Sequence, residues 1–135
     1  MPVRNNSSGL IRSLKPVLNQ GHYVFCSLNE NHNADLTEAI CTFREKEGLT
    51  VILPKEAADK QQLKYSYTAS WITLNVHSSL DAVGLTAAVS KALADENISC
   101  NAVSAVCHDH IFVARKDEER AMRVLMDLQR KKSQG

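Results

Sequence analysis

The chain has few aromatic residues and no excess of charge of either sign. Only 5% of its 135 residues are aromatic, and 16 basic against 15 acidic residues give a formal net charge of +1. A near-neutral chain has no electrostatic footprint for nucleic acid or for an anionic membrane. RNA binding on a sheet also needs exposed aromatic side chains, and the strand that would carry them offers only Phe112. We therefore expect no nucleic-acid partner and no membrane partner.

Long apolar runs are also missing. Each apolar run is short and interrupted by polar residues, so no segment is expected to span a bilayer. The first eight residues lack the apolar stretch and the cleavage site of a secretory signal. These features predict a cytoplasmic protein.

Cysteine motifs and catalytic signatures are absent too. The four cysteines, at positions 26, 41, 100 and 107, form no Cys-x-x-Cys pair, so no zinc site of the usual kind and no cofactor are expected. In an unsecreted protein such residues are expected to be buried reduced thiols. No complete catalytic constellation occurs, which favours a binding protein over an enzyme.

The first half of the chain contains a recognisable hairpin. Apolar residues between Leu10 and Leu18 predict a short helix or turn that ends near Lys15, because Pro16 disfavours helix at the residue before it. A strand is predicted at 23–28. The segments 40–45 and 49–53 flank Gly48, which supplies the positive φ of a tight turn and predicts an antiparallel pair. A helix is predicted at 55–63 from its strong helix formers.

The second half shows the clearest periodicity. Ile72, Leu74 and Val76 alternate with polar residues, as in a half-buried strand. A helix follows to about residue 95, with Ser78 or Ser79 as its N-cap and Gly84 inside its first turns. Further strands are predicted at 99–107 and 111–115, joined by a tight turn at residues 108–110, and a last helix at 118–131.

This order predicts an α+β protein with a ferredoxin-like βαββα module at residues 67–135. Residues 1–66 read as a smaller half-module of helix, strands, hairpin and helix, and the boundary is expected within residues 64–70. A standard ferredoxin-like module has one more strand after its last helix. We expect the N-terminal half to fill that vacant edge of the sheet.

Several stretches of the sequence resemble the ACT domain. They are Trp71-Ile72-Thr73-Leu74-Asn75-Val76-His77-Ser78-Ser79-Leu80, Val83-Gly84-Leu85-Thr86-Ala87-Ala88-Val89-Ser90, Ile98-Ser99-Cys100-Asn101 and His108-Asp109-His110-Ile111-Phe112-Val113. With segments of the N-terminal half, the resemblance covers nearly the whole chain. The resemblance is most specific to a small bacterial group of stand-alone ACT-like proteins without assigned function. It implies a ligand-binding, usually regulatory fold that assembles side by side into homodimers.

The resemblance also implies where a ligand, most simply an amino acid, would bind. In the family the site lies near the first strand-to-helix loop and the facing start of the second strand. Backbone N–H groups between Ser79 and Leu85 would hold the carboxylate, Asn101 would orient the ligand, and His77 or Asp109 would meet its amino group. The full set of candidate ligand-binding residues is His77, Ser78, Ser79, Val83, Gly84, Leu85, Thr86, Ile98, Asn101 and Asp109.

Other interpretations remain open from the sequence alone. Gly84 could serve close packing rather than a ligand, and the serines could be helix caps only. The His/Cys cluster at residues 107–110 could belong to a small enzyme or a metal-binding protein, although no third orienting group or complete ligand set is evident. An open sheet edge could instead pair with a partner protein by strand addition, without any ligand.

Overall fold

The computed structural model describes residues 11–76 and 84–134, with side chains described as far as residue 131. The chain divides into two compact units. The N-terminal unit is Gln20–Ser70, and the C-terminal unit combines Met1–Asn19 with Trp71–Gly135.

Besides the helical residues 11–12, the described part of the chain contains seven strands, three helices and one short 3₁₀ turn. They are β1 (Lys15–Leu18), β2 (Tyr23–Leu28), β3 (Cys41–Glu45), β4 (Gly48–Pro54), α1 (Lys55–Lys60), β5 (Thr68–Asn75), α2 (Leu85–Asp95), β6 (Cys100–Ser104), β7 (Asp109–Ala114), the 3₁₀ turn (Arg115–Asp117) and α3 (Glu118–Gln134).

The N-terminal unit is an antiparallel sheet with one short helix. Its strands lie in the order β3-β4-β2, followed by the first residues of β5, where Tyr23 pairs with Ala69. Apolar side chains on one face of β2 and β4 pack with two alanines of α1, because a strand turns alternate residues to the same side. This core contains Val24, Cys26, Leu28, Val51, Leu53, Ala57 and Ala58.

Gly48 closes the β3–β4 hairpin as predicted. Glu45 pairs with Gly48, and Gly48 has a φ of +148°. A Cβ at this position would lie 2.3 Å from the backbone oxygen of Leu28. The hairpin therefore requires glycine both for its backbone angle and for the close approach of a neighbouring strand.

Residues 29–40, which connect β2 to β3, contain turns but neither helix nor strand. Gln61 fastens this segment to the end of α1. Its side-chain oxygen accepts from Asp35 N at 2.6 Å, and its Nε2 donates to Asp35 O at 2.9 Å. These two hydrogen bonds hold the polar loop in place, although it contains no helix.

The C-terminal unit has the ferredoxin-like strand order, and its edge is filled from the N-terminal half of the chain. The strands lie in the order β1-β5-β7-β6, and β1 runs antiparallel to β5 with Lys15 opposite Asn75 and Leu18 opposite Ile72. The expectation that N-terminal residues complete this sheet is confirmed. The short helix or turn predicted to end near Lys15 is confirmed in the described residues, since residues 11–12 are helical, residue 13 is a turn and β1 starts at Lys15. The strand that follows was not predicted. Pro16 is tolerated there since β1 is an edge strand.

Both helices of the C-terminal unit pack on one face of its sheet. The buried stripe of α2, with Leu85, Val89 and Leu93, meets alternate residues of β5 and β7 and two residues of α3. These partners are Ile72, Leu74, Ile111, Val113, Ala121 and Leu125. The helices predicted up to about residue 95 and at 118–131 are therefore confirmed.

The β6–β7 hairpin turns earlier than predicted. Ser104 pairs with Asp109, and the turn is closed by a bond from Ala105 N to His108 O at 3.1 Å. The turn predicted at 108–110 is wrong, because Asp109 and His110 lie in β7. Val106, which the sequence pattern placed in a strand, is 78% exposed at the turn.

Candidate functional site

The start of α2 is the described part of the predicted strand-to-helix loop. Gly84 is the N-cap of α2, with φ 104° and ψ −23°, and none of the described side chains caps the helix. The first turn of α2 contains no acidic residue. The first backbone N–H groups of a helix have no partner within it and carry partial positive charge. Since no side chain in the described part of the chain neutralises it, this helix end has the chemistry of an anion site.

One sequence prediction about this junction is wrong, since Gly84 does not lie inside the helix but directly before α2, which begins at Leu85. Gly84 occupies the N-cap position in the left-handed conformation that glycine adopts without strain. The predicted caps Ser78 and Ser79 lie outside the described residues. Four candidate ligand-binding residues, His77, Ser78, Ser79 and Val83, lie outside the described residues.

The remaining candidates near the two ends of α2 differ in what they can offer a ligand. Leu85 and Ile98 are each 3% exposed and belong to the core of the C-terminal unit. Their side chains are thus committed to packing, and only their backbone could meet a ligand. Thr86 is half-buried on the first turn of α2.

Asn101 and Asp109 lie at different levels of the β6–β7 hairpin. Asn101 is exposed and pairs with Phe112 in the ladder, while its side chain has no hydrogen-bond partner among the described residues. Asp109 is half-buried and pairs with Ser104, three residues further along β6, which is about 10 Å. Because β6 returns along α2 from its C-terminal end, Asp109 lies towards the start of α2 and Asn101 towards its end.

One chain therefore does not bring all the described candidates together. The helix of 11 residues separates Gly84 from the segment that contains Ile98, a distance of about 16 Å along its axis. Gly84, Thr86 and Asp109 lie towards one end of α2, whereas Ile98 and Asn101 lie at the other.

A second polar cluster occupies the face of this sheet that points away from the helices. Trp71 Nε1 donates to His110 Nδ1 at 3.0 Å, and Thr73 Oγ1 lies 3.2 Å from the same nitrogen. Asn19 Nδ2 donates to Thr73 Oγ1 at 2.9 Å and to Trp71 O at 3.2 Å. The indole of Trp71 also stacks on Phe112, with ring centres 6.2 Å apart. We call Asn19, Trp71, Thr73 and His110 the His110 network.

Sequence reasoning missed this network, although the signal for it was present. Residues two apart on a strand share a face, so Trp71 with Thr73 and His110 with Phe112 could have been matched. The misplaced hairpin turn hid the pairing, because it put His110 outside the strand.

The Cys and His residues of this unit are the candidates for a metal site or a nucleophile. Within residues 11–76 and 84–134, no group of three His, Cys, Asp or Glu side chains is placed to hold a metal ion. Burial raises the pKa of the Cys100 thiol, although a hydrogen bond with Ser90 partly offsets the effect. A raised pKa keeps this thiol protonated and less nucleophilic.

The expectation of buried reduced thiols holds for only part of the set. All four cysteines are free, and Cys26 is buried. Cys41 and Cys100 are half-buried. Cys107 is exposed at the β6–β7 turn, so the prediction of burial is wrong there.

A groove of about 400 Å³ runs between α2 and α3. Its floor is apolar, with Ala88, Ala92, Val124 and Leu128, and charged side chains form its rim. On this rim Lys91 Nζ and Asp95 Oδ2 form an ion pair at 2.9 Å. The groove thus follows the later turns of α2 and is distinct from the Gly84 end.

None of the helices in the described ranges is long and apolar enough to cross a membrane.

Comparison with family models gives two adjoining matches. An ACT-domain model matches residues 6–70, and a second ACT-domain model matches residues 66–127. A search of curated proteins found no match.

Solved structures extend this likeness over most of the chain. A Vibrio cholerae protein of unknown function, described as a possible transport protein, is 43% identical with a TM-score of 0.81, and the match covers 90% of this chain and 94% of that one. A protein from Agrobacterium tumefaciens is 17% identical with a TM-score of 0.72, over 86% and 89% of the two chains. The ligand-free regulatory subunit of aspartate kinase from Thermus thermophilus is 8% identical with a TM-score of 0.57, over 86% and 98%. At such low identity the last two show a shared fold only.

Proposed function

Because this chain belongs to the ACT-domain family, we propose that it binds a small polar metabolite, an amino acid, without catalysing a reaction. In this proposal the bound state regulates a separate protein. ACT domains generally bind small ligands and often oligomerise. The fold shared with a regulatory subunit of aspartate kinase supports the same class of role.

The observation that carries the proposal is the start of α2 at Gly84, which has no side chain of its own to cap the helix. Among the described residues, the first N–H groups of α2 have neither a side-chain cap nor a first-turn carboxylate. A ligand carboxylate would supply the acceptor and the negative charge that this helix end favours. Asp109, towards the same end of α2, would be available for the ligand's amino group.

A homodimer would bring Asn101 to this end of the site. β6 is an edge strand, and in an antiparallel pair the start of one strand lies beside the end of the other. Pairing β6 with β6 of a second copy would place the second copy's Asn101 beside the Ser104 end of the first. We therefore propose a symmetric dimer through β6 whose ligand sites each use residues from both chains.

The cytoplasm is the compartment that we propose for this protein. Its four cysteines are all free, and free thiols persist in reducing compartments. This assignment depends on the thiol state and not on the ligand.

Thermal stability of the purified protein against each of the twenty amino acids at millimolar concentration tests the proposal. A ligand at about 100 times its Kd should stabilise the folded chain by about 2.7 kcal/mol. In Asn101→Ala most of this stabilisation should disappear while the ligand-free stability stays the same, since Asn101 is exposed and unpaired among the described residues. Ala102→Lys should give a monomer by sedimentation and should lose the ligand effect, because charge on an edge strand opposes strand pairing.

Two exposed positions provide matched controls. Asn33→Ala in the N-terminal unit and Ala94→Lys on α2 alter exposed residues of the same types, and both should respond to the ligand as the unmodified chain does. No response to any amino acid would contradict the proposed ligand class. A monomeric Ala102→Lys that keeps the full response would instead place the whole site within one chain.

A further inference from the structure

The His110 network fixes the protonation state of its histidine through the chemistry of its partner. An indole N–H can only donate a hydrogen bond. His110 Nδ1, 3.0 Å from Trp71 Nε1, must therefore carry a lone pair, and the neutral ring must hold its proton on Nε2. A protonated imidazole ring has a proton on both nitrogens and cannot accept this bond.

The same contact joins side chains of two different strands. Trp71 and Thr73 lie on β5, His110 lies on β7, and Asn19 follows β1. Asn19 ties the end of β1 to Trp71 O through both its backbone N at 2.9 Å and its side-chain amide at 3.2 Å. A change at His110 is thus passed directly to Trp71 and, through Thr73, to Asn19.

We propose that the His110–Trp71 pair is a pH-sensitive latch, in which protonation of His110 at Nδ1 releases the Trp71 indole N–H and loosens the side-chain link between β5 and β7. The proton comes from solvent, and no covalent bond is made or broken apart from the new N–H bond on the ring. The backbone ladder of the sheet is unaffected by this step. The latch is closed at neutral pH and opens in acid.

The groups that face His110 set where the latch opens. Trp71 and Thr73 on β5, Val103 on β6 and Asn19 carry no titratable charge, whereas His108 and Asp109 do. Burial lowers the pKa of His110, the charge of nearby His108 lowers it further, and Asp109 raises it. Because the folded-state pKa is below the ordinary His value of about 6.5, stability from the closed latch is present above that value and is lost as the pH falls.

Nuclear magnetic resonance can follow both partners at once. Trp71 is the only tryptophan in the chain, so a ¹⁵N-labelled sample gives a single indole N–H signal. At pH 8 the ring nitrogens of His110 should show the proton on Nε2. Between pH 8 and pH 5 the indole signal should shift, and its exchange with water should accelerate, with the same midpoint as the His110 ring.

Variants separate the latch from a general effect of acid. In Trp71→Phe, which keeps an aromatic ring but removes the donor, the His110 midpoint should rise towards its ordinary value. His108→Gln should also raise it, by removing a nearby positive charge. His110→Gln should make the indole signal independent of pH, and the control His22→Gln in the N-terminal unit should leave the titration unchanged.

Two results on the unmodified chain would overturn the proposal without any variant. One is a His110 proton on Nδ1 at pH 8. The other is an indole signal, with its exchange rate, that stays constant while the His110 ring titrates.

Discussion

The two units arrange four strands in the same order, yet they connect the first strand to the second in different ways. The N-terminal unit has the order β3-β4-β2-β5 and the C-terminal unit the order β6-β7-β5-β1. In the N-terminal unit the connection is the turn-rich segment 29–40, fastened by Gln61 to Asp35. In the C-terminal unit it includes α2, whose N-cap is Gly84 and which no described side chain caps. The same strand order thus occurs once with and once without a helix in the first connection, which is where we propose that the ligand binds.

The units differ in how they obtain their last strand. The C-terminal unit takes β1, which directly precedes the first strand of the N-terminal unit, whereas the N-terminal unit uses the first residues of β5, which lie within its own segment Gln20–Ser70. The sheet of the N-terminal unit is therefore encoded by one continuous segment, and that of the C-terminal unit by two separate ones. A division of the chain at residue 66 or 67 would remove an edge strand from the C-terminal sheet.

The largest effect is expected from removing matched core side chains, Leu53→Ala in the N-terminal unit and Leu93→Ala in the C-terminal unit. Both leucines are completely buried, so each change should lower the free energy of unfolding by about 2–5 kcal/mol. Because β5 contributes to both sheets, we expect each variant to shift the unfolding of the whole chain. Urea denaturation followed by far-ultraviolet circular dichroism and by Trp71 fluorescence checks this.

The two probes distinguish the units, since Trp71 lies in the C-terminal unit and circular dichroism reports on both units. Coincident transitions in both variants are the expected outcome. A Leu53→Ala chain whose fluorescence midpoint stays in place while its dichroism midpoint falls would show that the units unfold separately.

A smaller effect is expected from the two glycines that shape the corresponding connections, Gly48 and Gly84. Gly84→Ala places a side chain at φ 104°, which should destabilise the chain by about 1 kcal/mol. Gly48→Ala adds a clash with the Leu28 carbonyl oxygen, 2.3 Å from the new Cβ, and should destabilise it by about 3 kcal/mol. Urea midpoints of the two variants measure the difference.

Gly21 provides a control that separates the effect of backbone strain from the effect of the clash. It has a φ of +91°, and the nearest atom to an added Cβ is Tyr23 Oη at 3.9 Å, so Gly21→Ala isolates the backbone strain. A Gly48→Ala loss no larger than that of Gly21→Ala would mean that the Leu28 strand moves aside without penalty.

Local patterns predicted those elements whose signals are contained in a few residues. The strand Tyr23–Leu28 and the hairpin around Gly48 follow from alternation and turn chemistry, which act between neighbours. β1 was missed because Lys15–Leu18 becomes a strand only by pairing with β5, about 57 residues away by the register of the pair. The β6–β7 turn was misplaced because Ala105, Val106 and Cys107 continue an apolar pattern into an exposed loop.

The sequence predicted candidate residues for the site but not how far apart the fold places them. Gly84 was identified as special, yet its position as N-cap depends on where the helix begins. Asn101 was identified as a candidate, but its separation from Gly84 follows from the direction and length of α2. Only a second copy of the chain, in the dimer that we propose, would bring them together.

The smallest effect is expected from two exposed ion pairs that occupy the same i,i+4 spacing in the two units. Lys55–Asp59 on α1 is supported by Tyr65, whose hydroxyl donates to Asp59 at 2.6 Å and whose ring lies 5.9 Å from Lys55 Nζ. Lys91–Asp95 on α2 has side chains 77% and 63% exposed, and Asp95 is the last residue of its helix, where negative charge is disfavoured. Asp59→Asn should therefore destabilise the chain, whereas Asp95→Asn should be neutral or slightly stabilising.

The acid dependence of the two variants completes this comparison. Hydrogen bonds from Lys55 and Tyr65 lower the pKa of Asp59, so its contribution is present at neutral pH and is lost as the pH falls below the ordinary Asp value of about 3.9. The difference between Asp59→Asn and the unmodified chain should thus shrink between pH 7 and pH 3, and also with added salt, which screens exposed charges. Urea midpoints at both pH values and two salt concentrations measure it. Equal losses in the two variants at pH 7 would show that Tyr65 adds nothing to the pair on α1.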